Sequence, residues 1–136
     1  MLKTVSIAVL ASVLSVGSAY AGMLNEHNPN MRFESVSPAL PELNERFVRN
    51  GKSVSVGLVR QIELGATPEQ VSSLLGQPVR VTNRGGAQVW DYNLQFKTAE
   101  DGDIVCQYKV LFAGARQVDE TVWRRPQCRE LVLGHN

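Results

Sequence analysis

Histidine and cysteine are nearly missing from this sequence. A chain of 136 residues carries two of each, and the histidines, His27 and His135, lie near opposite ends. General acid–base catalysis recruits histidine more often than any other side chain, and a structural zinc site needs paired Cys-x-x-Cys or His ligands. Neither arrangement is present. Nor is there a phosphate-binding G-x-x-x-x-G-K, a G-x-G-x-x-G fingerprint, a G-x-S-x-G elbow or an H-E-x-x-H helix. Asp101-Gly102-Asp103 has the start of a calcium loop but not the further oxygen ligands at spaced positions, so a solvated hairpin turn is the better reading. Glu45, Arg46 and Glu63 read as surface charges. No catalytic residue, cofactor or metal is therefore expected. A charge excess is also lacking: Lys and Arg number 14 against 13 Asp and Glu. Nucleic-acid binders normally show a strong basic surplus, so that class is excluded. No internal repeat or low-complexity tract appears.

What the chain does have begins at its first residues. Lys3 precedes a greasy stretch from Val5 to Val16, and Gly17-Ser18-Ala19-Tyr20-Ala21 follows. A charge, a short apolar core and an A-x-A end are the three parts of a secretory signal. This places cleavage after Ala21, with 1–21 as signal peptide. The core is shorter than the roughly 20 apolar residues a membrane span requires, and Ser6, Ser12 and Ser15 interrupt it. The mature form is expected to be soluble in the periplasm with no membrane span. Losing Lys3 leaves basic and acidic residues in equal number, and the remaining length is usual for one domain.

In an exported chain an even number of cysteines reads as a disulfide, here Cys106 to Cys128. A metal or redox pair is the competing reading. Closing that loop stabilises by roughly 3 kcal/mol on the chain-entropy model.

Residues 22–50 are polar and rich in Asn, and are expected to form a mobile leader with a short helix marked by Leu43, Phe47 and Val48. A second short helix is expected over Val54–Ile62, with Val54, Leu58 and Ile62 on one face. Thr67-Pro68-Glu69-Gln70 is a capping box with proline at the first helical position. Val71, Leu74 and Leu75 supply its apolar stripe, and Gly76 with Pro78 ends it, which predicts a helix over 68–75.

Beyond that point the period changes to two. Trp90, Tyr92, Leu94 and Phe96 alternate along 88–96; Ile104, Cys106, Tyr108, Val110 and Phe112 do so along the next strand; Val118–Trp123 is a third. Connections at Thr98–Asp103 and Ala113–Gln117 are short enough for hairpins, which makes an antiparallel meander. Its apolar face needs cover, and the upstream helices can provide it. The expectation is an α+β fold: two short helices packed on a three-stranded antiparallel meander sheet, spanning 51–132, with 133–136 as a tail.

One surface feature stands out. Trp123, Arg124, Arg125 and Arg129 cluster near the C-terminus as candidate partner-binding residues, suited to an acidic protein partner or anionic lipid headgroups. The alternative, which is favoured, is a solvated strand end whose arginines stack on Trp123 and pair with Asp119, Glu120 or Glu130.

The segment Leu58-x-Arg60-Gln61-Ile62-x-x-Gly65-x-Thr67-x-x-Gln70-Val71-x-x-Leu74-Leu75-Gly76-x-Pro78, followed by Trp90-Asp91-Tyr92, resembles the SmpA/OmlA (BamE-like) domain family. The later runs Cys106-Gln107-Tyr108-Lys109-Val110-Leu111-Phe112 and Trp123-Arg124-x-Pro126-x-Cys128 look like a narrower subgroup, often found ahead of an OmpA-like peptidoglycan-binding domain. Together these cover about 54–130. The resemblance implies two helices on a three-stranded antiparallel sheet and a protein-interaction role in the cell envelope. BamE-like proteins are non-catalytic lipoproteins accessory to outer-membrane protein assembly. This sequence departs from that pattern in having no lipid-attachment cysteine, no OmpA-like domain before Asn136, and no Asp-x-x-Gly in the turn at 113–117. The functional expectation is a soluble periplasmic interaction module with an envelope protein partner. The alternative is a proteinaceous inhibitor of an envelope or secreted enzyme.

Overall fold

The computed structural model describes residues 23–28, 31, 33, 51–98, 102–114 and 116–134. The expected signal peptide, the expected helix near Leu43–Val48, Asp101 and His135 lie outside the described residues.

The architecture is mixed α+β. Its centre is a long antiparallel hairpin of two strands, β4 (Ala87–Thr98) and β5 (Gly102–Phe112), whose register runs from Gln88 opposite Phe112 to Thr98 opposite Gly102. This register follows from the alternation. Trp90, Tyr92, Leu94 and Phe96 meet Val110, Tyr108, Cys106 and Ile104 across the hairpin, so one face is almost wholly apolar, and a slip of one residue would turn that face to solvent. A third strand, β6 (Val118–Trp123), pairs antiparallel with β5, and the register of that pairing shifts between Leu111 and Phe112 of β5.

The expected three-stranded meander is therefore only the middle of the sheet, which has six strands among the described residues. Four of them run in the order β1, β6, β5, β4, and β4 is flanked on its other side by both β2 and β3. Strand β1 (Glu26–His27) and strand β2 (Lys52–Ser53) are two residues each and pair in parallel with β6 and β4. Pieces that short have no periodicity to read. Strand β3 (Arg80–Arg84) pairs antiparallel with β4. It is polar and mostly exposed, so no hydrophobic pattern announced it. Its signal was the Gly85-Gly86 turn, where φ of +48° and +89° gives the two left-handed positions of a tight hairpin.

Residues 23–28, expected to belong to the leader, are clamped to β6. The Thr121 amide donates to the Met23 carbonyl at 3.1 Å and the Asn28 amide to the Trp123 carbonyl at 3.0 Å. Asn25 sits at φ +56°, a conformation asparagine tolerates better than most residues. Its amide donates to Thr121 Oγ1 at 2.6 Å, and its Oδ1 accepts from Trp123 Nε1 at 2.8 Å.

Among the described residues three helices, not two, cover the apolar face. Helix α1 (Val56–Arg60) is capped by Ser55, and helix α2 (Pro68–Leu75) carries the capping box, with Thr67 and Gln70 bonding each other's backbone. Helix α3 (Pro126–Leu133) has proline in its first turn and Gly134 as a left-handed C-cap; it occupies the stretch expected to be a domain end and tail. The core takes Val59 and Ile62 from the α1 region, Val71 and Leu75 from α2, and Cys128 and Val132 from α3. On α1 the buried position is Val59, with Val54 only partly buried beside the core; on α2 Leu74 is likewise only partly buried. Arg60 ties α1 to α3 by donating to the Val132 carbonyl, one of the last carbonyls of α3, which has no partner within the helix.

Candidate functional site

Cys106 and Cys128 form a disulfide with a Cα–Cα separation of 5.8 Å. Cys106 is on the core face of β5 and Cys128 in the first turn of α3, both without solvent exposure. The bond fastens the C-terminal helix over the sheet.

The Trp123–Arg129 cluster is not an exposed patch. Trp123 is 0% exposed; its ring lies 4.2 Å from that of Tyr108 and 6.1 Å from that of Phe96. Its side chain points into the helix-covered core, because Trp123 pairs with Tyr108 in the register. Arg124, just past the end of β6, is buried too, and its amide donates to the Gln107 carbonyl at 3.2 Å. A buried tryptophan and a buried arginine cannot anchor a partner on the surface of this fold. Arg125 is half-buried and Arg129 exposed. His27 lies exposed in β1 rather than in a tail.

The face of the sheet away from the helices holds the polar chemistry. The register places Arg80, Asp91, Lys109 and Val122 side by side on β3, β4, β5 and β6. Lys109 Nζ donates to Asp91 Oδ1 at 2.5 Å, with both side chains less than a tenth exposed. A pair this dry survives only because each charge neutralises the other; removing one partner would strand a buried ion. The Phe33 ring centroid lies 5.1 Å from the same ammonium, a cation–π contact. Above the pair is a cavity of about 410 Å³, bounded by Met31, Phe33, Arg80, Thr82 and Arg84 among others. One row along, Asn93 and Gln107 are cross-strand neighbours, and their side-chain oxygens are buried without a hydrogen-bond partner among the described residues.

Near the other edge Glu120 faces Glu26. Burial, then the hydrogen bond and charge of Glu26, then the charge of Asp119 push the Glu120 carboxyl up to about 7. In the core, burial pushes the Tyr108 hydroxyl above its ordinary range while a hydrogen bond to Thr121 opposes the shift; Tyr92 is raised by burial and then by Tyr108. On the helical side Gln61, Glu63, Glu69, Gln70 and Ser73 line an open groove between α2 and the segment that connects α1 to it. Among the described residues no three His, Cys, Asp or Glu side chains converge to hold a metal, and no helix is long and apolar enough to cross a membrane.

Sequence reasoning identified the disulfide pair but not the Asp91–Lys109 pair. The signal for it was present: two opposite charges, each centred in an alternating apolar strand, at positions the hairpin register brings together.

No curated protein matches the chain. The X-ray structure of a protein assigned as the osmotically inducible lipoprotein OsmE is similar, at 25% sequence identity over 57% of this chain and 83% of that one, with a TM-score of 0.42. The family model described as the outer membrane protein assembly factor BamE domain matches residues 51–121. That match takes in more than half of the chain, and the protein belongs to the BamE domain family.

Proposed function

We propose that this protein is an exported, periplasmic protein-interaction module of the cell envelope. It acts by binding, without chemistry of its own, in support of outer-membrane protein assembly or envelope integrity. The match of residues 51–121 to an outer-membrane assembly-factor domain carries this reading. The frame suits such a role. A disulfide holds α3 to the sheet, and residues 23–28 are bonded along β6, so the surfaces are presented on rigid supports, which lowers the entropy lost on docking. Of the C-terminal cluster, Arg125 and Arg129 remain candidates for partner contact, with a protein surface the expected partner and anionic headgroups a secondary one.

The test is affinity capture from detergent-solubilised envelope with the oxidised, mature chain as bait. Envelope assembly proteins should be retained by the folded chain and not by a reduced, unfolded control. Equal retention by both, or a reproducible turnover of an envelope substrate abolished by one point change, would overturn the reading.

A further inference from the structure

We infer that the pairing of β1 with β6 is a pH-dependent clamp, closed while Glu26 and Glu120 share a proton and opened when both carboxyl groups ionise. Such a clamp goes beyond the interaction role proposed above and does not depend on it.

Strand β1 has two residues and contributes few ladder bonds, so the contacts around it decide whether it stays docked. Most of these do not change with pH. The Thr121 amide donates to the Met23 carbonyl, the Asn28 amide to the Trp123 carbonyl, the Asn25 amide to Thr121 Oγ1, and Trp123 Nε1 to Asn25 Oδ1. The carboxyl pair differs. Glu26 lies beside Val122 in the parallel register, which puts it on the face of β6 that Glu120 shares two places earlier. The two side chains are hydrogen bonded. An ionised carboxylate only accepts, so a bond between two carboxyl groups exists only while one carries a proton. Loss of that proton turns an attraction between neighbouring strands into a like-charge repulsion.

The surroundings favour the proton. Among the described residues, burial, then Glu26, then the Asp119 charge push the Glu120 carboxyl up; Asp119 also has an interaction of its own. Opposite Glu120 on β5 is the uncharged Leu111, and Lys109, two places along on the same face, is bonded to Asp91 at 2.5 Å. Arg124 and Arg125, past the end of β6, each have interactions of their own. Helix α3 carries Arg129 and Glu130 but packs over the apolar face, the opposite one. On β1 the other ionisable side chain is His27, which strand alternation turns away from Glu26. With a folded value of about 7 against an ordinary 4.5, the docked state holds a proton that the released segment gives up. Docking is therefore fullest below 4.5 and weakens as pH rises through about 7.

The test follows the indole N–H resonances of the isotope-labelled mature protein by NMR from pH 5 to 8. Trp123 reports the clamp through its bond to Asn25, and Trp90, bonded to Gln88 Oε1 at 2.8 Å, is the internal reference. In wild type the Trp123 resonance should move with a midpoint near 7 while Trp90 stays in place. Hydrogen exchange, corrected for its intrinsic pH dependence, should show protection of the Asn28 and Thr121 amides falling by up to tenfold per pH unit, the slope for release of one proton. Glu120→Gln keeps a donor to Glu26 without a titrating proton, so it should hold both readouts at their low-pH values throughout. Glu26→Gln, the second variant, should do the same. His27→Asn should leave the wild-type transition intact, a control required because histidine is the side chain that changes charge near neutrality. A Trp123 signal constant from pH 5 to 8, a transition that survives both glutamine variants, or one that His27→Asn abolishes would overturn the clamp. Protection lost equally across β4 and β5, the mark of global unfolding, would overturn it as well. A melting curve on each variant establishes that it is folded.

Discussion

The Tyr92 hydroxyl donates to the Gly76 carbonyl at 2.8 Å, joining the centre of the sheet to the end of α2. The bond connects two stretches read separately in the sequence, Leu75-Gly76-x-Pro78 and Trp90-x-Tyr92. Gly76 holds φ +78° and ψ −163°, a region open essentially to glycine alone. Tyr92→Phe should destabilise by about 1 kcal/mol. Gly76→Ala should cost about 1–3 kcal/mol through backbone strain. Urea unfolding of both variants checks the order; a smaller loss for the glycine change would mean that the turn relaxes without it.

Cys128→Ser should remove roughly 3 kcal/mol and loosen α3 specifically. Hydrogen exchange should show faster exchange in Pro126–Leu133 while the β4–β5 hairpin stays protected. Unchanged exchange in α3 would show that Val132 and the Arg60 contact hold the helix without the bond.

Two arginines assigned together from the sequence should behave differently. Arg124 is buried and Arg129 exposed, so Arg124→Glu should lower the melting temperature by several degrees, as expected for a buried charge turned against its surroundings. Arg129→Glu should change stability by no more than about 0.5 kcal/mol. Equal melting temperatures for the two would contradict the burial of Arg124.

That contrast marks where the sequence stopped being legible. The capping box of α2 and the alternation of β4, β5 and β6 were readable because each is a local pattern that the fold left undisturbed. Trp123 was misplaced for a nonlocal reason. Its neighbours are charged, but the register with Tyr108 turns the indole into the core. Strands β1 and β2 were invisible because two residues hold no period, and what fixes them is bonding to distant strands, such as Asn25 to Thr121 and Trp123. Helix α3 had its Pro126 start and Gly134 stop, but it is a short element whose burial depends on a disulfide to β5. The polar cavity was missed because Asp91 and Lys109 become a pair only once β4 and β5 are aligned.

The raised Glu120 carboxyl predicts a pH dependence. Its folded value, about 7, lies above the ordinary 4.5, so the folded state binds the extra proton between these limits and stability falls as pH rises through them. The melting temperature should therefore decline from pH 4.5 to 7 by an amount that Glu120→Gln removes. A slope that persists unchanged in the variant would place its origin in another group.

The central claim is that the protein works by holding another protein in the envelope. It is tested most directly by photo-crosslinking in living cells, with a photoreactive residue placed in turn at Asn83 on β3, Ser73 on α2 and Arg129 on α3. The account predicts discrete protein adducts of defined mass from at least one of these exposed positions and none from a core position such as Val110. Folded protein present at normal level in the envelope fraction, with no adduct from any surface position, would contradict it.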